Sequence, residues 1–440
     1  MPPPPADIEG DFSLLTPRDL LTRSVEELKA LVRSKRKAIA AQEKAAVRSP
    51  PRRPPAGPKP APDPRPRRPP PPPSPAPQAQ PEPMEEDTPE ERSVTLEGFQ
   101  GEVLACAWNP QSLHVLAAGG DGSARLFEVP DDLGAGAPLD KPRRFGHAAR
   151  GADKKDVAAL AWAPDGRHLA TGGYDGVAKV WGADGDLLHA LEHHEGAIFK
   201  LRWCPGGTTM VSGGADGAVV LWDLEAGEVQ QEWSLHRDAV LDLAWRDESE
   251  FASCSKDRTV QVCRVGETGP RLVLTGHARD VNSVGFSADG SRLLTCSDDK
   301  TACIWDVTSG ALAHRLEGHR REVLLGRWSP AGAPRNVVVT VATDGAVKVW
   351  DGHDGTLLHT LQGHKETCYA VAFSPDGRSL ATGGFDGQVL VWGVADGQVH
   401  RTFKCEGAVY DVDWHRDGHF VSAACGDGTV SVVDVRKPGP

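Results

Sequence analysis

TGGYDGVAKVW, Thr171 to Trp181, is the stretch on which the reading of this chain turns, because close variants of it recur almost to the C-terminus. SGGADGAVVLW (Ser212 to Trp222), TCSDDKTACIW (Thr295 to Trp305), TVATDGAVKVW (Thr340 to Trp350) and TGGFDGQVLVW (Thr382 to Trp392) keep its frame. Each places a hydroxyl residue four positions before an Asp and a Trp six positions after it. An Asp followed by Gly or Lys, between runs of β-branched and small apolar residues, marks a tight hairpin turn. Looser copies at AAGGDGSARLF (Ala117 to Phe127), SCSKDRTVQVC (Ser253 to Cys263) and AACGDGTVSVV (Ala423 to Val433) bring the total to eight.

The turn Asp residues fall at 121, 175, 216, 257, 299, 344, 386 and 427, a repeat of 41 to 45 residues after one longer interval of 54. That period overrides the two or three ordinary domains that 440 residues would otherwise suggest. Unit seven shows the pattern in full: Gly363 and His364, the apolar run CYAVAF (Cys368 to Phe373), the turn SPDG (Ser374 to Gly377), SLATGG, Phe385-Asp386-Gly387, and QVLVW ending at Trp392. Four short antiparallel strands cannot cover both of their faces alone, so such units stack radially into a ring. The expected fold class is all-β, an eight-bladed β-propeller over 93–437. Unit eight has only three strands of its own before the chain ends, while SVTLE (Ser93 to Glu97) precedes the first unit without a blade. Residues 93–97 are therefore expected to close the ring as the outer strand of blade eight, leaving 438–440 as a tail.

Ahead of the repeats the composition changes. Residues 1–6 read as disordered. Residues 7–47 read as a helical segment, with Ser24 and Glu27 as a capping box and Val25, Leu28, Leu31 and Val32 on one face. Residues 48–92 read as a disordered linker, basic and then acidic, because 18 of the 36 prolines lie between Pro50 and Pro83 and favour extended polyproline II. The clusters Arg33, Lys35, Arg36, Lys37 and Arg65, Arg67, Arg68 are of nuclear-import type. Residues 1–92 hold 16 Lys/Arg against 14 Asp/Glu, so the repeats carry 33 against 47, a net charge of -14. An acidic body with a basic arm points to protein contacts for the body, with nucleic acid or an import receptor open to the arm, and no direct sequence-specific nucleic-acid binding is expected. Nine cysteines without framework spacing, mostly at or beside apolar strand positions, suit a reducing compartment. The N-terminal MPPPPADIEG is neither a secretory signal nor a spanning helix, so no membrane role is expected.

His, a hydroxyl and Asp recur together, which raises a nucleophilic triad. The sets are His147/Thr171/Asp175/Trp181, His194/Ser212/Asp216/Trp222, His277/Thr295/Asp299/Trp305, His319/Thr340/Asp344/Trp350 and His364/Thr382/Asp386/Trp392. An enzyme needs one such site, not five. Buried polar groups must be paired, so the sets read as structural tetrads in which Asp meets His, His meets the hydroxyl, and the hydroxyl meets the indole N–H. No catalytic residue, cofactor or metal site is expected. Function then falls to the surface. The residue before each turn Asp, together with aromatics that begin the inner strands, gives a candidate peptide-binding rim: Tyr174, Phe199, Lys256, Asp298, Tyr369, Phe385 and Tyr410.

The repeat pattern is that of the WD-repeat family. GEVLACAWNP (Gly101 to Pro110), ADKKDVAALAW (Ala152 to Trp162), HHEGAIFKLRW (His193 to Trp203), EFASCSKDRTVQVCRVG (Glu250 to Gly266) and VVDVRK (Val432 to Lys437) resemble more narrowly the transducin β-like family of corepressor subunits. Asp7 to Lys37 is similar to the F-box-like segment that follows the LisH motif in plant-type members, and only MPPPPA stands ahead of it. The resemblance implies a nuclear, non-enzymatic scaffold of a histone deacetylase corepressor complex. Its implied partners are corepressor proteins, a histone deacetylase and histone tails. The alternative in another class is a substrate receptor of a cullin-type ubiquitin ligase, with ligase components as partners. That reading wants Trp-Asp-x-Arg at a strand end, and the nearest match is Val433-Asp434-Val435-Arg436. A hydrolase using one tetrad ranks third.

Overall fold

The computed structural model describes residues 93–133, 140–147 and 156–436. The helical segment 7–47, the linker 48–92, both basic clusters and the tail 438–440 lie outside the described residues. Within them the chain is all-β, 32 strands without a helix, arranged as eight four-stranded antiparallel sheets. These are the eight blades of a propeller, each running from an inner strand to an outer one.

Blade seven illustrates how the sequence dictates a blade. Its inner strand Cys368–Phe373 turns at Ser374 to Arg378 into Ser379–Gly384, then at Asp386 into Gln388–Gly393, and ends in the outer strand Val399–Lys404. Alternation breaks down in the second strand, where every residue after Ser379 is buried, because both of its faces are covered by neighbouring blades. The turn after each Asp needs a left-handed residue. Glycine supplies it at Gly122, Gly176, Gly217, Gly345, Gly387 and Gly428, while Arg258 (φ 72°) and Lys300 (φ 74°) adopt it without that freedom.

Ring closure uses both ends of the described chain. Ser93–Leu96 pairs antiparallel with Val430–Asp434, Ser93 opposite Val433 and Leu96 opposite Val430, and supplies the outer strand of blade eight. Leu96 is 1% exposed and belongs to the core shared by blades eight and one.

A second device joins blade to blade. The inner strands end in Trp108, Trp162, Trp203, Trp245, Trp328 and Trp414 in six blades, and in Phe286 and Phe373 in blades five and seven. Each indole N–H donates to a carbonyl on the inner strand of the preceding blade: Trp162 to Ala107, Trp203 to Ala161, Trp245 to Arg202, Trp328 to Gly285, Trp414 to Ala372. Trp108 makes the same bond across the closing seam, to the Asp413 carbonyl at 3.2 Å, and Phe286 and Phe373 interrupt the series in blades five and seven. At this seam, side-chain carboxylates add to the indole bond. Asp413 accepts the Trp108 amide at 2.9 Å and Asp411 accepts the Cys106 amide at 3.2 Å.

Deleting 93–97 is expected to lower the melting temperature of the whole propeller, measured calorimetrically on the full chain. An unchanged melt would contradict closure by this strand. Asp413 yields a pH prediction. Burial, with the neighbouring Asp411, pushes its carboxyl up to about 7 against the bonds from Trp108 and Trp414. A carboxyl harder to ionise in the folded protein than in the unfolded chain favours the fold fully below about pH 4 and loses that contribution as pH rises towards 7. The melting-temperature advantage of wild type over Asp413→Asn should therefore shrink between pH 4.5 and pH 8. A pH-independent difference would count against it.

Candidate functional site

Each tetrad histidine follows the outer strand of one blade and reaches the second strand of the next, so the set latches consecutive blades. In blade seven His364 Nδ1 lies 3.0 Å from Asp386, His364 Nε2 lies 2.8 Å from Thr382 Oγ1, and the Trp392 indole donates to that same hydroxyl at 2.8 Å. The same chain of contacts joins His194, Ser212, Asp216 and Trp222. It recurs at His277, Thr295, Asp299 and Trp305, and at His319, Thr340, Asp344 and Trp350. In blade two the ring is turned over, with His147 Nδ1 facing Thr171 and Nε2 facing Asp175, while Trp181 donates to Thr171. All five hydroxyls are fully buried, and a nucleophile without exposed surface reaches no substrate.

The turn carboxylates are saturated. Burial would raise Asp344, yet the bonds from His319 and from the amides of Arg320 and Ala346 outweigh it and hold it at about 2. Asp257 and Asp299 are lowered further by the same kind of partners. Three blades depart from the set. Blade four keeps His236, Ser253 and Asp257 but buries Cys263 in the Trp place. Blade one substitutes rings, Phe99 lying 6.3 Å from Phe127 with Arg125 stacked 4.6 Å over Phe99 and paired to Asp121. Blade eight has Cys405, Ala423 and Val433 in the His, hydroxyl and Trp places.

The rim is built by two devices that recur in every blade. First, the residue before each turn Asp donates its amide to the carbonyl of the residue just ahead of the inner strand. The eight pairs are Gly120 to Glu102, Tyr174 to Asp156, Ala215 to Ala197, Lys256 to Ala239, Asp298 to Asp280, Thr343 to Glu322, Phe385 to Thr367 and Gly426 to Ala408. Second, each inner strand carries a β-bulge after its first residue, which takes the second residue out of the ladder. Bulges re-aim side chains. Here the bulged residues include Phe199, Tyr369 and Tyr410.

The structure brings five of the seven rim residues together as aromatic contacts. Tyr369 stacks on Phe385 at 5.4 Å, and Tyr410 meets both edge-on at 6.3 and 5.6 Å. Tyr174 packs on Phe199 at 6.1 Å. All five rings are half-buried. The two charged candidates differ from expectation: Lys256 is 8% exposed and Asp298 1%. Asp298 turns inward because the bulged Asn282 donates to it at 2.7 Å, and burial pushes its carboxyl up to about 6. Acidic residues stand just ahead of four inner strands, the half-buried Glu102, Asp156, Asp280 and Glu322, with Asp156 near Tyr174 and Glu102 near Tyr410. Burial and Asp156 push the Tyr174 hydroxyl up to about 12, and burial with Glu102 raises Tyr410. Deeper in, Lys200 and Arg202 face Asp242 at 3.8 and 3.6 Å. Among the described residues no cluster of three or more His, Cys, Asp or Glu could hold a metal.

The WD domain, G-beta repeat family matches residues 90–128, 141–182, 185–223, 227–263, 269–306, 355–393 and 397–434. These matches leave out most of blade six, whose inner strand Val323–Trp328 and second strand Val337–Ala342 are joined by a longer loop than in other blades. The chain is 37% identical over 414 residues to the F-box-like/WD repeat-containing protein TBL1X of Mus musculus, covering 81% of this chain and 70% of that protein. It is 34% identical over 354 residues to the WD40 repeat-containing protein HOS15 of Arabidopsis thaliana, covering 78% of this chain and spanning only 57% of HOS15. Among solved structures, the C-terminal WD40 domain of Sif2 superposes with a TM-score of 0.69 at 24% identity, covering 79% of this chain and 98% of that one.

Because only a complete latch leaves partners stranded, Asp386→Ala should destabilise by about 2–3 kcal/mol and Asp427→Ala by under about 1 kcal/mol. Asp427 is bonded only within its own exposed turn, to Thr429. Equal losses in chemical denaturation would refute the latch account.

Proposed function

Taking as premise that the chain belongs to the transducin β-like family of WD-repeat proteins, we propose that it is a non-enzymatic nuclear scaffold of a histone deacetylase corepressor complex, acting in transcriptional repression. The observation that carries this reading is the channel mouth. Three bulges and two turns aim aromatic rings at it, and carboxylates stand just ahead of four inner strands. Rings supply contact area at low entropic cost, and carboxylates complement a cationic segment. A Lys/Arg-rich histone tail is the ligand of that chemistry. The basic clusters at Arg33 to Lys37 and Arg65 to Arg68 support nuclear import.

The ubiquitin-ligase reading ranks second on one observation. Arg436, the arginine of Val433-Asp434-Val435-Arg436, is forked onto Asp434 and stacked 4.9 Å over Phe420. Docking an adaptor through that guanidinium would have to break an internal pair.

Two measurements test the proposal on the full chain. Affinity for a Lys/Arg-rich tail peptide should fall by about tenfold between 50 and 300 mM salt, as screening of a charged mouth requires. Phe385→Ala and Tyr410→Ala should each weaken it by about tenfold or more, whereas Val399→Ala on the outer girdle should not. Salt-independent binding, or equal loss in all three variants, would remove the mouth from the mechanism. Deacetylase activity should co-purify from nuclear extract, and recovery of cullin and ligase adaptor without deacetylase would favour the second reading.

A further inference from the structure

The channel beyond the rim carries charges that the mouth does not use. The fifth residue of every inner strand keeps partial exposure, and because no strand lies inside the inner ones, this ring of residues faces the channel. It is Ala or Gly in five blades and charged in three, as Arg202, Arg327 and Asp413. The third residue adds Lys200, Asp242 and Asp411. Small residues on the other blades leave the long side chains room to extend, and Lys200 and Arg202 stay 31% and 33% exposed. Arg202 stands three residues past the bulged Phe199, about 10 Å along the channel from the rim.

Three cations and three carboxylates share this space without pairing off. Each carboxylate turns both of its oxygens to backbone amides: Asp242 to Leu243 and Val284, Asp411 to Val412 and Cys106, Asp413 to Trp414 and Trp108. Of the three, Asp242 also meets cations, and at 3.8 Å from Lys200 and 3.6 Å from Arg202 one carboxylate serves two of them. Arg202 adds a bond to the Leu243 carbonyl of the next blade at 3.2 Å. Arg327, in blade six, has no carboxylate at ion-pair distance among the described residues, and its guanidinium donates to the carbonyl of its own chain neighbour Gly326.

These charges act on one another across the channel. Burial holds the Lys200 ammonium below its ordinary range against the pull of Asp242, and the like charges of Arg202 and Arg327 add to the effect. Burial also raises Asp411 and Asp413, so the seam carboxylates are the reluctant charges while the guanidiniums are permanent ones.

Cations crowded in a confined space carry an electrostatic cost that a bound anion removes. Guanidinium forks match the oxygens of a phosphate, and a lysine adds a point charge beside them. We propose that Lys200, Arg202 and Arg327 form an oxyanion site inside the channel that takes a phosphate group. That chemistry has two sources, free inorganic phosphate or a phosphorylated side chain on a segment that dips into the channel from the mouth. The second source rests on the peptide-binding reading of the mouth; the first does not.

The test is calorimetric titration of the full chain with inorganic phosphate at constant ionic strength, chloride being the balancing anion. Wild type should bind phosphate at a single site. Arg327→Ala and Lys200→Ala should each weaken it by about tenfold or more, the loss expected for one charge-assisted bond. Arg378→Ala, on an exposed turn of blade seven, should leave it unchanged. Melting separates binding from a structural role: phosphate should raise the melting temperature of wild type above its value in chloride and leave that of Arg327→Ala where it was. In chloride, Arg327→Ala should melt no lower than wild type, since it loses a cation that has no internal partner. A Lys/Arg-rich peptide with one phosphoserine, compared with its unphosphorylated twin, distinguishes the sources. A preference for the phosphopeptide that Arg327→Ala abolishes assigns the site to a carried phosphate, and equal affinities beside bound inorganic phosphate assign it to the free anion. Absence of both phosphate binding and phosphopeptide preference in wild type, or phosphate binding that survives both substitutions, would overturn the proposal. Because inorganic phosphate needs no rim residue, a failed tail-peptide titration leaves this result standing, and the reverse holds as well.

Discussion

A ring of blades has no free edge, and every other feature of this molecule answers to that constraint. Each blade buries both faces against its neighbours, so the last blade must meet the first as tightly as any other pair. Here the meeting is made three ways at once. The N-terminal strand Ser93–Leu96 completes blade eight, Trp108 makes its indole bond across the seam, and Asp411 and Asp413 accept amides from the neighbouring strand. Carboxylates are costly in such a buried place, and Asp413 registers the cost in its raised pKa. The closing interface thus adds two buried carboxylates to its indole bond, one of them held well above the ordinary carboxyl range.

Around the rest of the ring the same junction is made by a histidine held between a carboxylate and a hydroxyl. The three departures show which part of it is indispensable. Blade four loses the indole and keeps the polar chain through His236; blade one exchanges the chain for Phe99 against Phe127; blade eight has Cys405, Ala423 and Val433 in the three places. What every blade retains is the amide bond from the residue before the turn Asp to the carbonyl ahead of the inner strand. That backbone bond carries no side-chain requirement. It fixes the turn whatever the latch is made of, and leaves the residue before the Asp free to vary from Gly120 to Phe385.

This division explains what was legible in the sequence. The turn Asp, the hydroxyl and the Trp are side-chain identities at fixed spacing, so the repeat number, the five tetrads and the role of 93–97 could be read from letters. The indole series could not, because its acceptors are backbone carbonyls of residues as different as Ala107, Arg202 and Gly285. Nor could the bulges, which any residue can occupy. Lys256 and Asp298 were expected at the rim because their position is a rim position, yet the fold buries both. A bulged Asn282 is enough to draw Asp298 inward, and that depends on a pairing three strands of sequence reading do not reveal.

The mouth of the channel follows from the same logic. A bulge releases one side chain per blade from the ladder, and the conserved amide bond within each blade holds a second beside it, so the ring presents pairs of positions that the core does not dictate. In blade seven both members are rings, Tyr369 and Phe385; in blade five they are Asn282 and Asp298, which satisfy each other. The first pair packs ring on ring with the Tyr410 edge against both, while the second is closed by a hydrogen bond. Aromatic pairs cluster here on blades seven, eight and two to three rather than around the whole mouth. The aromatic positions thus make an asymmetric surface on a scaffold of repeating blades, so that a ring of similar parts has distinguishable sides.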